Sequence, residues 1–393
     1  MAAELKGEWD EAALESLHPA RAWVDLDRVD ANYRALAAFS PVPLMPVVKA
    51  DAYGHGATVL SRRLEALGAP LLAVGYPDEG VAVRDAGVSV PVVVMAGFSR
   101  GQVRLLLEHD LTPVVATPWA PAVLADAARA AGRPLAVHLK VDTGMSRLGF
   151  PLSEVAEVAS RLADGGRVEV AGFMTHLASA DGRPGETARQ LDLFDEAIQQ
   201  LGHRGIHPRW IHAANSAGLA FLRHTHTLAR PGLLLYGLRP RPLCPEVAVR
   251  PVLSLSARVS LVKDVAEGTA VSYGGVWAAS RPSRIATVPV GYADGVPRGG
   301  AMSAGGAFAV RGGRARVAGA VCMDLTMLDV TDHPDVEVGD EAVVFGDDPT
   351  AWEVADWAGT NAWDVLTGVG SRVPRVYVSG GRVVDVDSRY HGW

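Results

Sequence analysis

Val47-Val48-Lys49-Ala50-Asp51-Ala52-Tyr53-Gly54-His55-Gly56 is the stretch from which the rest of the chain can be read. The apolar run before it, residues 44–48, has the length and character of a short buried strand. It stops at a lysine, and a glycine-punctuated loop follows. A lysine closing a buried strand is costly unless it is paired or used, because desolvation disfavours its charged form. Such an amine can lose its proton near neutral pH and become a nucleophile, as a Schiff base with an aldehyde cofactor requires. Taken alone, the same lysine can equally snorkel to water. The remainder of the chain decides between the two.

Outward from Lys49 a pattern repeats. Apolar, β-rich runs lie at 44–49, 70–74, 90–95, 111–116, 135–141, 168–175, 210–213 and 227–236. Helix-like segments separate them at 58–67, 78–85, 100–109, 119–131, 152–162, 187–201 and 216–222. In the sixth, Leu191, Phe194, Ile198 and Leu201 recur at helical spacing. Alternating strands and helices imply parallel pairing with right-handed crossovers. Eight strands match a closed (β/α)8 barrel of the TIM type. Upstream, residues 1–20 read as a flexible leader and 23–26 as a short strand. Asp27 can cap the helix that follows, whose face carries Val29, Tyr33, Leu36 and Ala37.

From Pro251 the pattern changes. Residues 252–262 form one alternating run, and β-rich stretches follow at 285–290, 315–318, 326–330 and 341–345 between Gly-rich turns. Only 351–358 has helical character there, and 298–313 reads as a mobile surface loop. The expected organisation is α/β: a leader over 1–20, a barrel over 21–245, and a mainly β C-terminal domain over 246–393.

Composition narrows the function. The chain has 393 residues, too many for one ordinary core. Hydrophobic residues make up 49% and charged residues 21%, a globular balance. A net charge of −7 gives no basic surface for nucleic acid. No apolar stretch approaches the roughly 20 residues of a membrane helix. Residues 1–15 are polar and acidic, unlike a secretory signal. The two cysteines, Cys244 and Cys322, lie far apart, which argues against a disulfide framework and fits a reducing cytoplasm. Neither has zinc-type neighbours, so no metal is expected.

Catalytic groups of such barrels stand at the C-terminal ends of the strands. The first run ends at Lys49, with Tyr53 just beyond. The fifth carries Lys140, then Asp142-Thr143-Gly144-Met145-Ser146-Arg147. The sixth leads to His176, the seventh to Asn215 and Ser216 at a helix start, and the eighth to Arg230, Pro231, Gly232 and Leu233. Lys140 and Arg147 also read as a solvated charge cluster, and His176 as a satisfied core histidine. Ser216 can cap its helix and offer that helix's amides to an anion. Gly232 lets backbone approach a ligand. Backbone-rich anion sites near a buried lysine suggest a phosphorylated aldehyde, pyridoxal 5′-phosphate.

On these residues the chain resembles the alanine racemases, pyridoxal-phosphate enzymes of the barrel-plus-β-domain type. The matching stretches are 48–56, Lys140 to Gly149, Arg230-Pro231-Gly232, Val271-Ser272-Tyr273-Gly274, Gly291-Tyr292-Ala293-Asp294-Gly295, Cys322-Met323-Asp324 and Arg372-Val373-Pro374-Arg375. They run in order from about residue 23 to 377. The resemblance implies that Lys49 holds the cofactor and serves as base on one face of the substrate's α-carbon, with Tyr273 as base on the other. A racemase must serve both faces. It also implies a homodimer, with Tyr273 supplied by the partner subunit to a small amino-acid substrate. Arg230 is then expected at the pyridine nitrogen, where a protonated guanidinium keeps the ring neutral and a weaker electron sink. By the same resemblance Tyr53, Ser216, Gly232 and Leu233 lie around the phosphate, Asn215 is a further cofactor-binding residue, and His176 packs against the ring. Arg147 holds the substrate carboxylate, Met323 and Tyr292 reach across to the partner's substrate, and Lys140 is a candidate for carbamylation. The family's usual Tyr-Glu pair near the C-terminus is Trp363-Asp364 here, so Trp363 takes a position that otherwise touches the phosphate.

The expected activity is interconversion of L- and D-alanine. Racemisation of another small amino acid such as serine is the nearest alternative. A decarboxylase of the same overall fold uses an acidic residue at the ring nitrogen, against which Arg230 argues. A lone-barrel pyridoxal-phosphate carrier would lack the C-terminal domain and Tyr273.

Overall fold

The computed structural model describes Leu14 and residues 16–388. Strand β1 (Ala20–Asp25) leads into the helix Leu26–Phe39. Asp25, not Asp27, caps that helix: its Oδ1 accepts from the Arg28 amide at 3.0 Å. Asp27 lies one residue too late and instead accepts from Ser379 Oγ and the Gly380 amide. Of the expected leader, Leu14 and Leu17 are buried against Val376 and Val386, and residues 1–13 and 15 lie outside the described residues.

Contacts divide the chain into two units. The first takes residues 30–52 and 57–249. Its parallel sheet runs in order through β2 (Leu72–Val74), β3 (Val92–Val94), β4 (Leu111–Val115), β5 (Leu135–Lys140), β6 (Val168–Met174) and β7 (Trp210–His212). Two extended segments close the ring. Val47 bridges Ala73 of β2, and Leu44 bridges Ala229 in parallel. The Thr227 and Arg230 amides then donate to Ile211 and Ala214 beside β7. These strands are covered on both faces, so they read as continuous apolar runs: every residue of β2, β3 and β4 is buried. The eighth run departs from its reading. Only 227–231 is extended, and Gly232 to Leu238 turn back in successive tight turns. The segment expected helical at 216–222 is a 3-10 turn, Ala217–Phe221.

The second unit takes the described residues up to Val29, then Tyr53–Gly56, and continues from Arg250. Residues 21–29, expected with the barrel, belong here because β1 pairs antiparallel with β8 (Leu253–Arg258) and parallel with β17 (Arg375–Ser379). The run 252–262 breaks at Val259-Ser260 into β8 and β9 (Leu261–Val265), which take different partners in the sheet. A small hairpin, β10 (Ala270–Val271) and β11 (Trp277–Ala278), precedes β12 (Ser283–Val288). The expected loop 298–313 contains a short helix and strand β13 (Ala307–Val310), whose Phe308 is fully buried. Then come β14 (Gly313–Val317), β15 (Thr326–Asp329), β16 (Glu341–Phe345), β17 and β18 (Arg382–Asp387). The large sheet runs β18-β17-β1-β8-β16-β13-β14-β15-β12-β9. A second helix, Ala362–Thr367, follows the expected one at Ala351–Ala358, with Asn361 as its cap. No helix among the described residues is long and apolar enough to cross a membrane.

Candidate active site

The residue after Lys49 begins an unusual turn. Ala50, Asp51, Ala52 and Tyr53 have φ of 52, 53, 52 and 55°, and Gly54 has 83°. This is one turn of left-handed helix rather than the expected loop. For residues with a Cβ it costs roughly 1–2 kcal/mol each, so about 4–8 kcal/mol over four. Specific bonds hold it. The Ala52 amide donates to Val48 O at 2.8 Å, and Asp51 Oδ1 accepts from the Ala57 amide at 2.7 Å. Glu79, on the helix Pro77–Asp85, accepts from the Ala50 amide at 2.7 Å.

Lys49 itself is exposed at the strand end, which corrects the expectation of a buried amine; the strand before it is the buried part. Crowding by the surrounding protein and the charge of Arg147 still lower its amine, while Glu79 opposes them. The buried lysine of the site is Lys140, at the end of β5. Burial, Arg230 and Arg147 push it down to about 8 against the opposing charge of Asp142.

Arg147 is exposed on a tightly built loop. Asp142 Oδ1 accepts from the amides of Gly144, Met145 and Ser146 at 2.9–3.1 Å. The Thr143 hydroxyl meets that of Thr175 at 2.7 Å. Gln190, buried on the helix Pro184–His203, donates to Thr143 Oγ1 and to His176 O, and accepts from the Ala178 amide. It ties the Arg147 loop to the segment bearing His176.

Arg230 is buried. Its Nη1 donates to His212 O and His212 Nδ1, both at 2.8 Å, and its Nη2 to Thr175 O and Ala213 O, both at 2.9 Å. His176 Nδ1 lies 3.5 Å from Nη2. Burial lowers the guanidinium to about 9, so it is a cation at neutral pH. A guanidinium only donates, so His212 Nδ1 accepts and His212 carries its proton on Nε2. That nitrogen faces His138 Nδ1 at 2.9 Å, which must accept in turn. Burial first, then Arg230, depresses all three histidines, His138 to about 3. Beyond burial, His176 is lowered by Arg230, Lys140, Arg147 and Lys49, so its ring stays neutral under the influence of four basic side chains.

Ser216 does not cap the turn after it; Asn215 Oδ1 does, accepting from the Gly218 amide at 2.9 Å. Ser216 Oγ accepts from the amides of Gly232 and Leu234 at 3.0 and 3.2 Å. These bonds join the ends of the seventh and eighth strand segments.

The remaining expected residues lie in the β unit. Burial pushes the Tyr53 phenol up to about 12. Tyr273 stands on a 3-10 turn after Ser272, whose φ is 66°, and is 71% exposed. Ser272 Oγ donates to Ala320 O at 2.6 Å, anchoring that turn. Tyr292 and Met323 are neighbours through the Tyr292 amide on Cys322 O and the Ala293 amide on Met323 O. Buried Asp294 accepts the Gly291 amide and two bonds from Arg372, which also pairs with Asp324. Trp363 packs edge-on to Trp352 at 5.6 Å.

Residues 24–240 match the N-terminal domain of alanine racemase and residues 252–377 match its C-terminal domain. The chain belongs to the alanine racemase family. An alanine racemase of Sorangium cellulosum is 43% identical over 92% of this chain and 99% of its own length. Among solved structures, alanine racemase of Clostridium difficile 630 superposes with a TM-score of 0.91 at 28% identity, over 95% of this chain and 99% of that one. Alanine racemase from the D-cycloserine producing Streptomyces lavendulae has a TM-score of 0.86 at 38% identity, over 92% and 98%. The barrel-plus-β architecture of the alanine racemases is thus the architecture of this chain.

Sequence reading missed Glu79, Gln190, His138 and His212 as parts of the site. His138 carried a signal: it stands two residues before Lys140 on one strand, so both face the same side.

Proposed function

We propose that the protein interconverts L- and D-alanine with pyridoxal 5′-phosphate, Lys49 and Tyr273 serving as the two bases. The observation that carries this is the set of four basic side chains, Lys49, Lys140, Arg147 and Arg230, whose charges act on His176. Such a set suits a phosphorylated aldehyde and a substrate carboxylate. The donors fit in detail. Four N–H groups of Arg230 are taken by protein, and among the described residues none accepts from its Nε–H, the one donor left for a pyridine nitrogen. The Leu233 amide and the Ser216 hydroxyl hydrogen likewise have no acceptor among the described residues and suit a phosphate.

Pyridoxal phosphate, when bound, withdraws electrons from the substrate's α-carbon and acidifies its C–H bond. The chain's residues do the rest. Lys49 holds the cofactor and moves a proton at one face of that carbon. Tyr273 moves a proton at the other. Arg230, fixed by three carbonyls and His212, stays cationic and donates through Nε. Arg147 orients the substrate carboxylate, and His176 stays neutral and packs beside the ring. Tyr53, Asn215, Ser216, Gly232 and Leu233 are the phosphate side of the site. Lys140 is a carbamylation candidate beside Arg147.

The active species is proposed to be a homodimer in which Tyr273, Tyr292 and Met323 act on the partner's substrate. In support, Tyr273, Val276 and Met323 are 71, 67 and 52% exposed, an apolar surface suited to a second copy. Cys244 and Cys322 are both unpaired, which supports a cytoplasmic location. Mixing inactive Lys49→Ala and Tyr273→Phe proteins should restore part of the activity once subunits exchange. No recovery despite proven exchange would place both bases in one chain. A panel of amino acids followed by α-proton exchange in deuterated water separates alanine from serine as the preferred substrate.

A further inference from the structure

We propose that Glu79 is a positioning residue for Lys49: its carboxylate holds the left-handed turn that fixes where the amine stands. This rests on the assignment of Lys49 as the cofactor lysine. Glu79 Oε1 accepts from the Ala50 amide at 2.7 Å, and Oε2 from the Gly75 and Tyr76 amides at 2.5 and 3.2 Å. Among the described residues no cation stands within ion-pair distance of it, so both oxygens serve backbone. One oxygen therefore grips the first residue after Lys49, and the other grips the end of the neighbouring barrel strand.

Gly75 shows how close the two side chains come. A Cβ built there would lie 3.0 Å from Glu79 Oε2 and 3.6 Å from Lys49 Cβ. The absent side chain leaves room for the carboxylate to sit beside the lysine stem. The turn it secures begins with Ala50, Asp51, Ala52 and Tyr53, all at positive φ, which right-handed backbone would otherwise replace. A helix-capping role alone explains the Tyr76 bond. It does not explain why an acid on a separate helix reaches across to the amide of residue 50.

The same placement sets the charge around the amine. The charges of Arg147, from the loop after β5, and of Glu79 both act on the Lys49 amine, and the Lys49 charge in turn acts on His176 from the segment after β6; Glu79 is the acid acting on that amine. Arg147 favours the neutral amine and Glu79 the charged one. Replacing Glu79 by Gln removes that opposition, so the amine should lose its proton at lower pH.

The test uses the full chain, freed of bound aldehyde with hydroxylamine, in unaltered, Glu79→Gln and Glu79→Asp forms. Pyridoxal 5′-phosphate is added across a pH series, trapped with cyanoborohydride and located by peptide mapping, while hydrogen exchange reads the Ala50 amide. In Glu79→Gln the pH midpoint for labelling Lys49 should fall by about one unit, at the lower end of what a neighbouring opposite charge does. Glu79→Asp keeps the charge but is too short to span both strands. Its midpoint should hold while the Ala50 amide exchanges at least tenfold faster. A role confined to capping would lower thermal stability alone, leaving both midpoint and exchange as in the unaltered chain, and that result overturns the proposal. If Glu79→Gln does not fold, unchanged Ala50 exchange in Glu79→Asp overturns it equally. Label on another lysine in the unaltered protein would instead overturn the assignment of Lys49, and is seen before any substitution is made.

Discussion

Gln190→Glu tests how tightly the Arg147 loop is clamped. Gln190 is 2% exposed. Its amide is oriented without ambiguity, because the Ala178 amide needs an acceptor at 2.9 Å and the His176 carbonyl needs a donor at 3.1 Å. Its second hydrogen goes to Thr143 Oγ1 at 3.3 Å. A protonated glutamic acid keeps the acceptor and one donor, so it loses one bond, about 1 kcal/mol. An ionised one cannot donate to the His176 carbonyl, and burial raises its pKa. Take the rise as about two units above the unfolded value of about 4.3. The folded state then binds more protons than the unfolded one as pH rises past about 4.3, so stability falls until the folded pKa is passed. The full term is about 2.7 kcal/mol. Urea unfolding of variant and unaltered protein should therefore show a difference widening from about 2 kcal/mol at pH 5 to about 4 kcal/mol at pH 8. The kcat/KM ratio of variant to unaltered protein should fall over the same interval. A stability difference independent of pH would mean that the new carboxylate reaches water, and that residue 190 is not the sealed clamp described.

Gly172→Ala would put a methyl group into the ring of His138. It should cost about 1–3 kcal/mol in urea unfolding, and His138→Ala in the same chain should recover part of it; additive losses would show that the two do not share that space. Trp363→Tyr gives up the edge-on contact with Trp352 at 5.6 Å, about 0.5–1.5 kcal/mol. It should tighten cofactor retention modestly, since the smaller phenol can direct its O–H donor at the phosphate where the bulkier indole carries its single N–H elsewhere, and alter the ratio of alanine to serine racemisation; unchanged values for both would remove Trp363 as a determinant. Lys140, pushed down to about 8, is part neutral amine near physiological pH. In bicarbonate it should gain the mass of carbon dioxide more readily than exposed lysines, increasingly as pH rises from 7 to 9, and native mass spectrometry of Lys140→Ala gives the control.

The barrel was legible because strands covered on both faces become unbroken apolar runs, and those runs end at Lys49, Lys140, His176 and Arg230. Its eighth run misled for the same reason: Gly232 to Leu238 stay apolar while turning, so hydrophobicity could not mark where extension stops. The β unit was less legible because its pairing is non-local. Nothing near residues 20–25 announces partners at 253–258 and 375–379. Strand β17 also opens with Arg375, a charged residue made acceptable by the carbonyls of Gly54, Val369, Gly370 and Val373. The left-handed turn could not be read from Ala50, Asp51, Ala52 and Tyr53, whose own preference is right-handed. It exists through bonds to residues elsewhere in the chain, Glu79 among them. Ser216 and Asn215 are equally suited by residue type to cap the turn that follows, and only the geometry gives that bond to Asn215.

The most direct measurement is to incubate L-alanine with the pyridoxal-phosphate-loaded protein in deuterated water, then separate the enantiomers and weigh them. The proposed activity requires D-alanine to accumulate to an equal mixture carrying one deuterium at the α-carbon, with no loss of carbon dioxide. Absence of D-alanine, or its replacement by a decarboxylated amine, would contradict it.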